Sequence, residues 1–398
     1  MRILMISDVY FPRVNGVSTS IQIFREALKR LGHQVTLIAP EYPQTYNDDE
    51  DVIRIPSRYL ILDKEDRILR TRHIWQRLKQ FESGSYDIIH IQTPFLAHII
   101  GVKLARKLKI PCVESYHTYF EEYLYHYLPI VPKPAIRFFT RMLSKHQCNQ
   151  VDSLIVPSSA MNNALRQYGV KSNISIIPTG INLAKFDAGN GARFRCLYNI
   201  PETRPTLVHV GRIAHEKNID FLLKVLQQVK HTLPEVLLIL AGEGPALKHL
   251  KEMVVELQLK DNVLFIGYLD REKELLDCYC AGDAFIFSSR TETQGLVLLE
   301  AMALGVPVVS TAVMGTKDIL ESQKGALVAK EDINDFSTKV ITILTKPGLR
   351  KQLGWDAKMY ASRWSQERFA KTLAEYYKTV VEDYTLKNFR FVTVKEND

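Results

Sequence analysis

In this 398-residue chain the densest set of residues able to do chemistry is Ser289-Arg290-Thr291-Glu292-Thr293-Gln294-Gly295-Leu296-Val297-Leu298-Leu299-Glu300-Ala301-Met302. Two carboxylates, Glu292 and Glu300, are separated by seven residues. A helix predicted from Gly295 leaves Glu292 in the loop before it and carries Glu300 about two turns in. The free N–H groups of Gly295, Leu296 and Val297 lie between them, at the positive end of the helix. One element thus offers a carboxylate for sugar hydroxyls, donors for phosphate or hydroxyl oxygens, and a carboxylate for a ribose diol. The bare spacing is common in helices, so its weight comes from the loops that accompany it.

Three such loops follow predicted strands. Val210-Gly211-Arg212-Ile213-Ala214-His215-Glu216-Lys217-Asn218 places two cations, Arg212 and Lys217, near a helix start. That arrangement suits a diphosphate with no metal required, although alone it reads equally as two solvated charges. Ala241-Gly242-Glu243-Gly244-Pro245 can bring backbone at Gly242 against a base or ribose. Asn15-Gly16-Val17 opens the first helix, where backbone N–H groups and the helix dipole suit a phosphate at Gly16. It is not G-x-G-x-x-G, which counts against a nicotinamide dehydrogenase. The acidic run Asp48-Asp49-Glu50-Asp51 reads as a solvated loop rather than a cation site, so no metal ligand set is expected.

Short apolar strands alternating with amphipathic helices must position these loops. Strands are predicted at 2–7, 34–39, 52–55, 87–91, 111–115, 153–156 and 174–177, and the pattern restarts at 207–210, 236–241, 262–266, 284–287 and 306–310. Strands separated by helices at this spacing make parallel βαβ units. The expected fold class is α/β, with two Rossmann-like doubly wound parallel sheets. The first domain is expected at 1–186 and the second at 187–365, with 187–205 a loop-like linker bearing Gly189, Gly191, Pro201 and Pro205. A break near Arg363-Trp364-Ser365 would let a last helix, about 366–398, pack back on the first domain.

Composition narrows the class. The net charge of +8 is uneven: residues 1–190 hold 24 Lys/Arg against 17 Asp/Glu, and the remainder hold 28 against 27. The asymmetry suggests an anionic surface, nucleic acid or membrane, as partner for the first half, although a charge of this size taken alone reads better as mere solubility. Lys133, Arg137, Arg141 and Lys145 recur every fourth residue, with Ile136, Phe139 and Leu143 on an adjacent stripe and Phe138 and Met142 nearby. This is the pattern of an interfacial helix on anionic lipid. A second basic cluster, Arg67, Arg70, Arg72, Arg77 and Lys79, lies beside Ile68, Leu69, Ile74, Trp75 and Leu78. Nucleic acid is not expected, since no recognised binding motif accompanies the charge. No run of about 18 apolar residues is present, and the N-terminal stretch reads as a strand rather than a signal peptide. Five cysteines without C-x-x-C spacing point to a reducing compartment. The expectation is a cytoplasmic protein, peripheral on the inner face of the cell membrane.

Taken together, from Asp8-Val9-Tyr10-Phe11-Pro12-Arg13-Val14-Asn15-Gly16-Val17 to the terminal helices, the chain resembles the family-4 retaining glycosyltransferases. The resemblance implies the architecture called GT-B, two Rossmann-like domains facing across a cleft. It implies that the Gly16 loop, Arg212 and Lys217 meet the donor diphosphate and that Glu300 binds the ribose. Glu292 with Gly295, Leu296 and Val297 would hold the transferred hexose, and Tyr268 and Leu269, after Gly267, would hold the base through the backbone. His117, in Glu114-Ser115-Tyr116-His117-Thr118-Tyr119-Phe120, matches a family histidine that faces the hexose. His90, His98, His126, His146, His209 and His215 are read as structural. Thr291-Glu292-Thr293-Gln294-Gly295 and the aromatic run from His117 to Pro129 are similar to the branch that glycosylates diacylglycerol. The run reads equally as an acyl-chain entrance or an internal aromatic cluster. The implied reaction moves an α-hexosyl group, from UDP-glucose as donor, to diacylglycerol in an anionic membrane. No tightly bound cofactor is implied, a metal is either not required or only stimulatory, and the oligomeric state stays open. Alternatives are a mannosyltransferase using GDP-mannose, a nucleotide-sugar epimerase of the same architecture, and a basic protein that binds membrane or nucleic acid without catalysis.

Overall fold

The computed structural model describes residues 1–44, 46–59, 67–78, 81–82, 84–117 and 132–395; the side chains of residues 71, 77–78, 133 and 388–395 lie outside that description. The chain divides into two compact units, Met1–Gly180 with the helix from Gln366, and Ile181–Ser365. Each contains one parallel sheet.

In the first unit the strands are β1 (Arg2–Ile6), β2 (Gln34–Pro40), β3 (Val52–Ile55), β4 (Ser57–Tyr59), β5 (Arg67–Leu69), β6 (Ile88–Ile91), β7 (Cys112–Ser115), β8 (Ser153–Val156) and β9 (Asn173–Ile176). Seven form a parallel sheet in the order β3-β2-β1-β6-β7-β8-β9, while β4 and β5 pair antiparallel beside it. The order reverses direction between β1 and β6. In such sheets ligands bind beyond the carboxyl ends of the strands at that switch. The helix Gly16–Arg30 starts there. Asn15 caps it by accepting from Ser18 N–H at 2.8 Å, and it buries Ile21, Phe24 and Leu28. Those side chains share a core with Leu373, Ala374 and Tyr377 of the helix Gln366–Lys395. The terminal helix is therefore part of this unit's core.

The second unit repeats the plan with β10 (Thr206–Val210), β11 (Leu237–Ala241), β12 (Val263–Gly267), β13 (Ala284–Phe287), β14 (Val308–Thr311) and β15 (Ala326–Ala329), ordered β12-β11-β10-β13-β14-β15. Its switch lies between β10 and β13. Both sheets are doubly wound and parallel, as the alternation of strands and helices predicts.

The segment 187–205 is not the open linker expected. It holds the helix Gly191–Leu197, which packs Phe194 into the second unit's core. A Cβ on Gly191 would overlap the Cys280 carbonyl, so that glycine serves close helix approach rather than flexibility. The acidic run is also more structured than a solvated loop. Asp49 pairs with the buried Arg25 and with Lys29, Asp51 pairs with Lys29, and Asp48 pairs with Arg54 at 2.7 Å. Among the described residues no helix is long and apolar enough to cross a membrane.

Candidate active site

In the second unit three strand-end turns are bound edge to edge through their backbones. Gly211 N–H donates to Ala241 C=O at 3.1 Å, Ile213 N–H to Glu243 C=O at 2.8 Å, and Gly242 N–H to Gly267 C=O at 2.7 Å. A Cβ on Gly242 would overlap the Gly211 carbonyl oxygen, and its φ of +139° is one that side chains rarely adopt. Gly242 is thus required by the neighbouring turn. A role against a base or ribose would be additional. The result is a rigid rim carrying Arg212 and Lys217 after β10, and Tyr268 (exposed) and Leu269 (buried) after β12.

Two charged clusters hang from this rim. Lys217 Nζ is ion-paired to Glu292 Oε1, joining the turn after β10 to the loop after β13. That loop is clamped behind by Gly315 N–H, which donates to Glu292 C=O at 2.8 Å. Gly295, with φ +98°, caps the helix Leu296–Ala303, as the helix prediction from Gly295 expects. No side chain caps it, leaving the first-turn N–H groups of Leu296 and Val297 as donors. Farther along, Glu300 is only 3% exposed, yet both its oxygens have donors. Arg271 is ion-paired to Oε1, and the Tyr279 hydroxyl donates to Oε2 at 2.8 Å. The Glu300 charge raises the Arg271 guanidinium pKa, and burial raises that of the Tyr279 phenol. Arg271 and Tyr279 were missed from the sequence because one arginine in a loop and one tyrosine in an apolar helix carry no spacing signal. What brings them to Glu300 is the packing of the helices Glu274–Ala281 and Leu296–Ala303 into one core.

His209, read as structural, is fully buried against Phe287 and Phe285. Its Nδ1 faces the Ile286 carbonyl at 3.1 Å, and burial pushes its pKa down to about 4.

In the first unit His117 follows β7, as expected, and its Nε2 lies 3.3 Å from Gln92 Oε1 in the loop after β6. Burial pushes the imidazole down to about 4, so it is neutral near pH 7. Behind it His90 lies between the hydroxyls of Tyr377 (2.5 Å) and Ser115 (2.8 Å), its pKa lowered to about 3 by burial and then by His117. Asp8 accepts from Thr93 Oγ1 (2.8 Å) and Ala97 N–H, and burial raises it to about 6. It anchors the start of the helix Leu96–Leu108. A Cβ on Gly16 would meet nothing within 4 Å, so packing does not require glycine there. Thr118–Pro129 of the aromatic run lie outside the described residues.

The two basic segments part company. On the helix Lys133–Cys148, Ile136, Thr140 and Ser144 are buried, so Ile136 belongs to the core and not to an exposed stripe. Phe138, Phe139, Met142 and Leu143 are instead 52–63% exposed, beside exposed Arg137, Arg141 and Lys145. Lys133 begins this helix. In the other segment the expected apolar companions Leu69 and Ile74 are core, at 2% and 0% exposure. Arg67 is spent on local structure, its guanidinium 4.2 Å from the Tyr59 ring centroid and its Nε donating to Ser57 Oγ at 2.9 Å. Arg70 and Arg72 are exposed, and Lys79 lies outside the described residues. Of the apolar half of this expected patch, Leu69 and Ile74 fold inward while Ile68 and Trp75 stay half-buried; the side chains of Arg77 and Leu78 lie outside the described residues.

Residues 14–185 match the family described as Glycosyltransferase Family 4, and residues 194–359 match Glycosyl transferases group 1. The chain is 33% identical over 386 residues to an alpha-monoglucosyldiacylglycerol synthase of Streptococcus pneumoniae, covering 95% of this chain and 85% of that one. It is 26% identical to a GDP-mannose-dependent alpha-mannosyltransferase of Mycobacterium tuberculosis, over 82% of this chain and 83% of that one. Among solved structures, a sucrose-phosphate synthase from Thermosynechococcus elongatus superposes with a TM-score of 0.79 at 23% identity, over 96% of this chain and 99% of that one. Anabaena HepE in complex with UDP and glucose gives 0.75 at 16% identity, over 95% and 100%. These likenesses span both units. The chain belongs to the family-4 glycosyltransferases and has the GT-B fold of two Rossmann-like domains.

Proposed function

We propose that the protein is a retaining hexosyltransferase that moves an α-glucosyl group from UDP-glucose to 1,2-diacylglycerol, working as a peripheral protein on the inner face of the cell membrane. The observation that carries this reading is the outer face of Lys133–Cys148, where four large apolar side chains stand exposed among cations. Such a face suits an anionic bilayer. The named activity of the pneumococcal relative supports the sugar and the lipid.

In this reading the second unit (187–365) holds the donor. Glu300 takes the ribose, Tyr268 and Leu269 the base, and Glu292 with Gly295, Leu296 and Val297 the hexose. Gly242 keeps the adjoining turn in place. Charge building on the departing diphosphate is the largest quantity to stabilise, and Arg212, Lys217 and the helix N-termini at Gly16 and Gly295 do so without a metal. The Lys217–Glu292 pair has a specific use here. It neutralises a carboxylate that would otherwise repel the diphosphate, so that Arg212 supplies net positive charge. The first unit (1–186, with the helix from about 366) receives the acceptor. His117, neutral at working pH, offers hydrogen bonds to the hexose without adding charge. The acceptor hydroxyl attacks from the face the nucleotide leaves.

The test is a panel of nucleotide sugars with extracted lipids, the product read by mass spectrometry and its anomeric configuration by NMR. UDP-glucose and diacylglycerol should give an α-monoglucosyl lipid. Turnover with GDP-mannose alone would replace this by the mannosyltransferase reading. Conversion of the donor without acceptor would make the protein an epimerase.

A further inference from the structure

The helix Lys133–Cys148 has a neighbour on its side of the sheet. Strands β6, β7 and β8 are adjacent in that order and parallel. Right-handed crossovers place the two connecting helices, Leu96–Leu108 and Lys133–Cys148, on the same face. A hydrogen bond joins them, Gln147 Nε2 donating to the Pro94 carbonyl at 2.7 Å, one residue before Phe95.

The helix Leu96–Leu108 buries Ala97, Ile100, Leu104 and Leu108. In steps of four, its outer stripe reads Phe95, Ile99, Lys103, Lys107. Phe95 is 56% and Ile99 47% exposed, and both lysines are exposed, with Arg106 beside them. Neither helix contains an aspartate or a glutamate.

We propose that the helix Leu96–Leu108 is a second membrane-contacting element, its partner an anionic bilayer surface. The proposal rests on the membrane reading of the neighbouring helix. Phe95 and Ile99 enter the boundary between headgroups and acyl chains, while Lys103, Arg106 and Lys107 meet headgroup phosphates. Apolar side chains and cations sharing one stripe are what such a boundary demands, since the lysine stems lie along apolar surface with the charge kept in water. An acidic protein face would match the cations but not the exposed phenylalanine and isoleucine. The stripe begins at the loop that carries Gln92, the partner of His117. A lipid drawn from this face therefore arrives beside the imidazole.

The experiment is co-sedimentation of the full chain with vesicles of phosphatidylcholine, with and without one third phosphatidylglycerol, at low salt. Two variants are compared with the wild type, Lys103→Gln with Lys107→Gln, and Phe95→Ser with Ile99→Ser. All four side chains are exposed, and retained melting temperature and UDP affinity verify the fold. At about 1 kcal/mol for each basic residue near an anionic surface, the first variant should partition about 30-fold more weakly to anionic vesicles. The second should lose about tenfold. Unchanged binding of both folded variants, when the wild type binds and Arg137→Gln with Arg141→Gln weakens it, overturns this inference alone. A wild type indifferent to anionic lipid overturns it together with the membrane reading. A wild-type dimer that Phe95→Ser dissociates, with vesicle binding unchanged, also overturns it and makes the face a contact between copies.

Discussion

The two units use one scaffold and place charge in opposite ways. At the strand ends of the second, carboxylates are met by cations: Lys217 on Glu292, Arg271 on Glu300. The turns that carry these groups are bonded backbone to backbone. At the strand ends of the first, burial keeps the imidazoles of His117 and His90 neutral and the Asp8 carboxyl is held by the Thr93 hydroxyl and the Ala97 N–H, while cations stand on an outer helix face. The difference fits the proposed division of labour. A unit that grips a diphosphate needs fixed charge and a rigid rim, whereas one that receives a neutral hydroxyl needs hydrogen bonds without charge.

The largest effect should fall on the charged side. Lys217→Ala removes a cation from the proposed diphosphate position and leaves Glu292 unpaired. Turnover should fall on the order of 10²–10³-fold, read as kcat with saturating donor. Lys217→Ala with Glu292→Gln should lose less than the product of the two single losses, because the uncompensated carboxylate is gone. His117→Gln keeps a neutral hydrogen-bonding group and should cost less than Lys217→Ala. Equal losses would break the comparison.

Next in size is Arg271→Met. Glu300 is nearly inaccessible, so it would keep a buried charge held by the Tyr279 hydroxyl. Breaking one side of such a pair costs about 3 kcal/mol, somewhat less here because Arg271 is a quarter exposed. Urea unfolding followed by fluorescence measures it. A loss below about 0.5 kcal/mol would mean that Glu300 does not depend on Arg271.

How far these features could be read from the sequence follows from their range. The doubly wound sheets were legible because strand and helix periodicity is local, and the helix start at Gly295 because its capping is local too. The pairing of Lys217 with Glu292 joins loops 75 residues apart, and Arg271 reaches Glu300 across 29, so neither leaves a sequence trace. Glycine roles depend on packing that sequence does not show. Gly191 looked like a linker residue and is a packing residue, while Gly16 has open space around it. The two basic segments had the same pattern of cations beside apolar residues. Only packing separates them, since β5 and the helix Thr71–Leu78 turn Leu69 and Ile74 inward while Lys133–Cys148 leaves Phe138 and Phe139 out.

The smallest effect tests the neutral side, through His90. Its folded pKa of about 3 lies below the unfolded value near 6.5. Below about pH 6.5 the unfolded chain therefore takes up a proton that the folded chain refuses. The contribution to stability is whole above that pH and is lost as pH falls toward 3. At about pH 5 the loss from this one group is about 2 kcal/mol. His117 and His209 carry the same sign, and Asp8, raised to about 6, carries the opposite one, gaining stability as pH falls below 6. The wild-type profile thus mixes many groups, His33, His98 and Glu114 among them, and the difference between wild type and His90→Gln isolates one. Glutamine can still bond Tyr377 or Ser115 but cannot titrate, so the variant should be less stable at about pH 7.5 and recover about 2 kcal/mol of its deficit at about pH 5. Calorimetry at the two pH values measures the deficit. A deficit of equal size at both would mean that the imidazole binds its proton as readily in the fold as out of it, and burial would then not be what keeps it neutral.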